Sequence, residues 1–290
     1  MRAIAFAFML LLAACGTPQP SGPAKPALWK LSDADTTIYL FGTIHLLPKD
    51  YDWKSPKITA AIAQSQSLIL EAVIDEETPD AGRVIADLGT DPSIPPLDAR
   101  VPPAERAALV AAVDKAGLPR AQLDRMESWA VALILASAQL RTLPAAPEHG
   151  VEALLRREFR AEGKPVEGFE TLAEQLGYFD GLSPESQARF LKSVVEDTAD
   201  PRAQFDAMIS AWRAGDVAKI ALTFDDEAQL SPELRDALLD QRNARWAGAI
   251  VRRLETPGTV FIAVGAGHLA GAGSVQALLA AKGLKVERLQ

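Results

Sequence analysis

Twice in this chain an apolar strand runs directly into Gly-x-x-His-Leu, and that repeated junction constrains the fold more than any other feature. The first is Thr36-Thr-Ile-Tyr-Leu-Phe41 followed by Gly42-Thr-Ile-His45-Leu46. The second is Thr259-Val-Phe-Ile-Ala-Val264 followed by Gly265-Ala-Gly-His268-Leu269. β-Branched, aromatic and aliphatic residues mark both as strands. A glycine at the break suits a backbone conformation that only glycine takes cheaply. With 3 His and 19 Gly in 290 residues, two of three histidines following a glycine by three positions is roughly a 1% coincidence, so the pair outweighs a single short motif. In an open α/β sheet, ligands bind where strands end. The two histidines are 223 residues apart, yet both belong at strand ends and can meet there.

The N-terminus reads as targeting rather than fold. Met1-Arg2 is a short positive start, and Ala3 to Ala14 is an apolar run too short to span a bilayer as a stable helix. It ends in Leu12-Ala-Ala-Cys15, which resembles a bacterial lipobox and holds the chain's one cysteine. The expectation is a signal peptide over 1–14 and lipidation at Cys15. The protein would then be held by this lipid at the cell envelope. Gly16 rather than Asp after the cysteine resembles lipoproteins sent to the outer membrane, facing the periplasm. Residues 15–26, rich in Pro and Gly, read as an extended tether. Residues 27–290 read as one domain, and with 48% hydrophobic residues in the chain as a whole it is long enough for a sizeable core. A net charge of −8 with no basic stripe argues against nucleic-acid binding.

The order of elements predicts an α/β fold: a mixed, mostly parallel central sheet flanked by helices, with a helical insertion or cap. Leu28–Ser32 and Thr36–Phe41 flank a hairpin turn at Asp33-Ala-Asp35. Ser55-Pro56 opens a helix to about Gln66. Ser67 to Ile74 is a nearly continuous apolar run, as in a strand buried on both faces, and Glu71 lies inside it. Burying that carboxylate is costly unless it is paired, hydrogen-bonded or bound to a cation. Helices are expected at 103–116 and 120–141, with Met126 and Trp129 in the core. Another helix follows His149-Gly-Val-Glu152, then a short strand over 164–169 with Glu170 at its end. Thr171 with Glu174 forms a capping box. Breaks at Pro184, Pro201 and Pro232 start further helices. A strand–helix–strand unit closes the chain over 259–289.

Two histidines and a buried glutamate suit two chemistries. One is a metal site in which His45, His268 and Glu71 hold Zn, Mn, Co or Fe, leaving positions for water and substrate; the ion would activate water and polarise a carbonyl. The other is metal-free: one histidine as general base, Glu71 orienting it, the other histidine stabilising developing charge. Glu152 and Glu170 are candidates for a second carboxylate. Arg242 is a candidate for a substrate or oxyanion contact, or for pairing Glu71, since a guanidinium fork suits either.

Gly42-Thr-Ile-His45, Gly265-Ala-Gly-His268, the strand with Glu71, the block from Gly150-Val-Glu152 to Glu170-Thr171, and Arg242-Asn243 with Trp246 together resemble the TraB/GumN family. That group sits with the Tiki metalloproteases, the ChaN haem-binding lipoproteins and the erythromycin esterases. The resemblance to Tiki implies a peptidase that depends on a divalent metal (Mn, Co or Zn), with His45, His268 and Glu71 at its centre. This is the leading expectation, with a peptide or small molecule as substrate. The esterases imply metal-free hydrolysis by similar positions, ChaN implies haem binding, and a non-catalytic role in polysaccharide export is a further alternative. His149 departs from the pattern, standing where an aromatic residue is common. It reads as an exposed helix cap or a third site histidine.

Overall fold

The computed structural model describes residues 23–75, 78, 80–196, 200–228 and 231–290. The expected signal peptide, Cys15 and most of the tether lie outside the described residues. Six strands form one sheet: β1 (Leu28–Ser32), β2 (Thr36–Thr43), β3 (Ser67–Ala72), β4 (Val166–Glu170), β5 (Gly258–Gly265) and β6 (Val286–Arg288). Their order is β4-β3-β5-β2-β1-β6. β2, β5, β3 and β4 pair in parallel, and β1 runs antiparallel between β2 and β6. The sheet is therefore mixed and mostly parallel, as the alternation of strands and helices predicts.

The apolar runs are explained by burial on both faces. On one face, Tyr39 and Phe41 of β2 and Phe261 of β5 pack with Trp53, Phe159 and Trp212. On the other, Ile38, Leu40, Val260 and Ile262 pack with Trp246 and Ile250 of the helix Gln241–Arg253. A third core lies wholly between helices. Leu109, Trp129, Leu135 and Leu191 join the helices Arg106–Ala116, Ser128–Leu140 and Pro184–Glu196. This is the expected helical insertion, with Met126 and Trp129 buried in it.

Several boundaries differ from the sequence reading. The stretch expected as one helix over 120–141 is two, Arg120–Leu123 and Ser128–Leu140, because Met126 leaves to bridge Thr90. The helix at 103 opens as a 3-10 turn, Pro103–Glu105. The closing strand is shorter than 284–289 and does not pair with β5; it joins the far side of β1 and runs parallel to β5 with two strands between them. The tether ends sooner than Pro26. Ala24 is buried, Lys25 N–H donates to the Arg213 carbonyl, and Gln290 Nε2 donates to the Pro26 carbonyl.

Register sets the site. Gly42 pairs with Val264 and Thr43 with Gly265, so both Gly-x-x-His units leave the sheet at the same level of adjacent strands. Glu71 precedes Ala72, which pairs with Glu170. Both histidines and both carboxylates therefore reach the carboxyl edge of the parallel strands, where open α/β sheets bind ligands.

Candidate active site

The glycines of the two motifs serve close approach rather than unusual backbone angles. Neither Gly42 nor Gly265 has a positive φ. A Cβ on Gly42 would stand 3.1 Å from the Cα of Ala266 in the other motif. A Cβ on Gly265 would stand 3.0 Å from Glu71 Oε1, 3.6 Å from His45 Nε2 and 3.7 Å from His268 Cδ2. The second glycine thus marks the point where both histidines and the strand glutamate come together.

His45 is held from Nδ1, 2.7 Å from Glu152 Oε1. Glu152 stands in the first turn of the helix Val151–Ala161, which is docked here by Val151 N–H on the Ile44 carbonyl. Thr43 Oγ1 also donates to this carboxylate. Glu152 raises the His45 pKa to about 9, against the opposing effect of burial and with a smaller contribution from Glu71. The imidazole is 68% exposed, so solvent screens part of that attraction; the direction is upward. Glu152 itself is pulled below the usual carboxylate range: burial would raise it, but His45 and Thr43 outweigh that.

His268 is the opposite case. It is 5% exposed and lies against the Trp246 ring, centroids 4.4 Å apart. Its Nδ1 is 2.6 Å from Asn243 Oδ1, and its Nε2 is 3.1 Å from Arg242 Nη1. An amide oxygen and a guanidinium have fixed roles, so Nδ1 carries the proton and Nε2 accepts. Burial, with Arg242 adding to it, lowers the His268 pKa to about 4. The two environments thus push in opposite directions: Glu152 favours the cationic form of His45, and burial the neutral form of His268.

Arg242 ties the rest together. Nε donates to Glu170 at 3.0 Å, Nη1 to the Leu238 carbonyl at 3.0 Å and to His268, and Nη2 to Glu71 Oε2 at 2.7 Å; Nη2 also lies 2.9 Å from Glu170 Oε2 as an ion pair. A guanidinium has five N–H donors, and these hydrogen bonds use four of them. Of the roles the sequence left open for Arg242, the structure shows the pairing of Glu71. Burial would raise the Glu71 pKa, but His268, His45, Arg242 and the Gly265 N–H, 2.6 Å from Oε1, bring it down to about 2.

Glu170 is the second carboxylate on this cation and also accepts from Tyr178 and Trp246. Glu152 is the carboxylate of His45. The metal-free scheme gave that orienting task to Glu71, and the structure gives it to Glu152. His149 is not the cap of its helix: it ends a 3-10 turn, and Gly150 is the N-cap. The cluster does not include it. Sequence reasoning assigned no role to Asn243, Thr43 and Tyr178. Asn243 and Thr43 left a signal, standing in segments that carry the family resemblance, next to Arg242 and within Gly42-Thr-Ile-His45.

Both imidazoles have Nδ1 committed and Nε2 turned inward, as ligating histidines do. The fixed positive charge of Arg242, however, already takes the lone pair of His268 Nε2 and one oxygen of Glu71. Among the described residues no three His, Cys, Asp or Glu side chains form a group that could hold an ion. As placed, His45, His268 and Glu71 do not fit a divalent metal.

The sequence model of the TraB/PrgY/gumN family matches residues 27–288. "Uncharacterized protein YbaP" of Escherichia coli (strain K12) is 24% identical over 243 residues, covering 83% of this chain and 87% of that protein. The protein of the same name from Shigella flexneri is 24% identical over 242 residues, with the same shares. No solved structure matches the chain. With the match spanning almost all of the folded body, the chain belongs to the TraB/PrgY/gumN family.

Proposed function

We propose that the protein is a hydrolase that cleaves a peptide or ester bond at the carboxyl edge of its sheet, with His45 as general base. The observation that carries this reading is the His45–Glu152 pair. A carboxylate on Nδ1 fixes the tautomer and stabilises the imidazolium that forms when Nε2 takes a proton, as in other histidine–carboxylate pairs. Nε2 faces Gly265 and Glu71 at an exposed edge. Neutral His45 takes a proton from water as that water attacks the carbonyl carbon, and the imidazolium returns the proton to the leaving amine or alkoxide. Glu71, ionised and pinned by Arg242 and the Gly265 N–H, adds negative charge beside the imidazolium. His268 and Glu170 hold Arg242 in register with Glu71. These last three are positioning residues.

The test is cleavage of peptide and ester libraries by the full chain, as wild type and His45→Ala, with and without added Mn, Co or Zn. Cleavage lost in His45→Ala is expected. No cleavage of any library, or cleavage that the variant retains, would sink the reading. Cleavage that appears only with an added ion would replace the metal-free step with the metal-dependent peptidase that the Tiki resemblance implies. The lipobox-like end at Cys15 supports an envelope-anchored enzyme, and Cys15→Ala should move the protein from the membrane to the soluble fraction.

A further inference from the structure

Beside the charged cluster lies a cavity of about 280 Å³ whose floor is Glu71, Arg242 and His268. Its walls include Phe179, Leu238 and Leu239, all partly exposed. Every charge that lines it is already matched. Arg242 is paired with Glu71 and Glu170, and Arg235 with Asp240 at 3.5 Å. An ionic group entering the cavity would lose hydration and find no free counter-charge, which is costly. A neutral apolar group would gain by covering the leucines and Phe179.

The wall is joined to the catalytic floor through the backbone. Residues Asp236–Asp240 form a π turn, in which Gln241 N–H donates to the Asp236 carbonyl five residues back. Such widened turns occur mostly as single insertions in helices and often at functional sites. Here Leu238 serves twice: its side chain lines the cavity, and its carbonyl accepts from Arg242 Nη1 at 3.0 Å. We propose that the cavity is a recognition subsite for a neutral apolar group, an aromatic or branched aliphatic side chain carried next to the scissile bond, and that the π turn is the element that reads it. This rests on the hydrolase reading for the identity of the occupant as part of a substrate. An occupant that presses on Leu238 acts on the residue that holds Arg242, so selectivity extends to turnover as well as to binding.

The experiment measures binding without cleavage. Full-length protein is titrated by NMR with N-acetyl-phenylalanine amide and with N-acetyl-aspartate amide. The variants are Leu238→Trp, which fills the cavity, Leu239→Asp, which puts a charge in its wall, and Val110→Trp, a control at a site 42% exposed. The phenylalanine amide should bind at least about tenfold tighter than the aspartate amide, and each cavity variant should remove about that much. The control should bind as wild type does. Equal affinities for the two amides, no binding of either up to solubility, or unchanged binding in both cavity variants would overturn the subsite. Selective binding by a chain that cleaves nothing would overturn the hydrolase reading and leave the cavity's preference standing. Cleavage without selective binding would do the reverse.

Discussion

Replacing Arg242 by methionine should destabilise the fold most at neutral pH and less as pH falls. In the native protein burial would raise the Glu71 pKa, but His268, His45, Arg242 and the Gly265 N–H take it from 4.5 to about 2. A depressed carboxylate stabilises the fold above its unfolded pKa and loses that contribution as pH falls through the folded value. For Glu71 the window runs from about 4.5 down to about 2, and the difference corresponds to about 3 kcal/mol. Arg242→Met leaves Glu71 and Glu170 buried without the cation between them, and breaking a buried pair from one side costs about 3–5 kcal/mol. Burial then acts on Glu71 with less opposition, so its pKa rises toward the unfolded value while His268, His45 and the Gly265 N–H still hold it down. The contribution of the depressed carboxylate shrinks, and what remains is lost at higher pH than in wild type. Urea unfolding of both proteins at pH 7 and pH 4 reads this directly. Wild type itself loses stability at pH 4, where His268, lowered to about 4, takes up a proton; relative to wild type at the same pH, the variant should lose about 3–5 kcal/mol at pH 7 and less at pH 4. Adding Glu71→Gln should restore part of the loss, because the stranded charge is gone. A loss below about 1 kcal/mol, or one that is the same at both pH values, would refute the account of Arg242 as the group that makes these carboxylates bearable.

Three further outcomes follow from the same geometry. Since the His45 pKa is raised to about 9, chiefly by Glu152, the base form grows as pH rises, so kcat/KM should climb between pH 7 and 9; Glu152→Gln should move that limb to lower pH, and an NMR titration of the His45 ring should move with it. Asn243→Ala releases His268 Nδ1, bonded now at 2.6 Å, and should cost about tenfold or more in activity, with a change of tautomer in the ring ¹⁵N shifts and an unchanged fold by circular dichroism. Gly265→Ala sets a methyl 3.0 Å from Glu71 Oε1, so the carboxylate must shift; activity should fall well below wild type, whereas Gly163→Ala, where a Cβ meets nothing, should affect stability through its positive φ but not the His45 titration.

What could be read in advance was what a single strand or turn writes locally. The two Gly-x-x-His units and the buried Glu71 are properties of consecutive residues, and parallel pairing at one register then brings them together without further information. The capping box at Thr171 and Glu174 is local in the same way and was legible. Pairings between a strand end and a helix face were not. Whether Glu71 or Glu152 reaches His45 depends on how the helix Val151–Ala161 docks, and that is fixed by the Val151–Ile44 contact across 107 residues of chain. For Arg242 the sequence left a substrate contact and the pairing of Glu71 both open; its burial against Glu71 follows from Trp246 and Ile250 packing the same helix onto the sheet.

This division explains the one property of the site that its symmetric motifs hide. The sequence presents two equivalent histidines, and the sheet delivers them to the same edge. The helices then make them different. One helix sets a carboxylate on His45 and leaves it exposed, which raises its affinity for a proton. Another sets an amide oxygen and a guanidinium on His268 and buries it, so it stays neutral. Two neutral imidazoles would suit an ion; two cationic ones would repel each other. One of each, with Glu71 between them, is an arrangement for moving a single proton, and exchanging the partners should show it. In Glu152→Asn, with Asn243→Asp in the same chain, the raised pKa should pass from His45 to His268, and activity should not follow it, because only His45 faces the exposed edge. Full activity in that double variant would mean that either histidine can serve as the base, and would refute the assignment of separate roles.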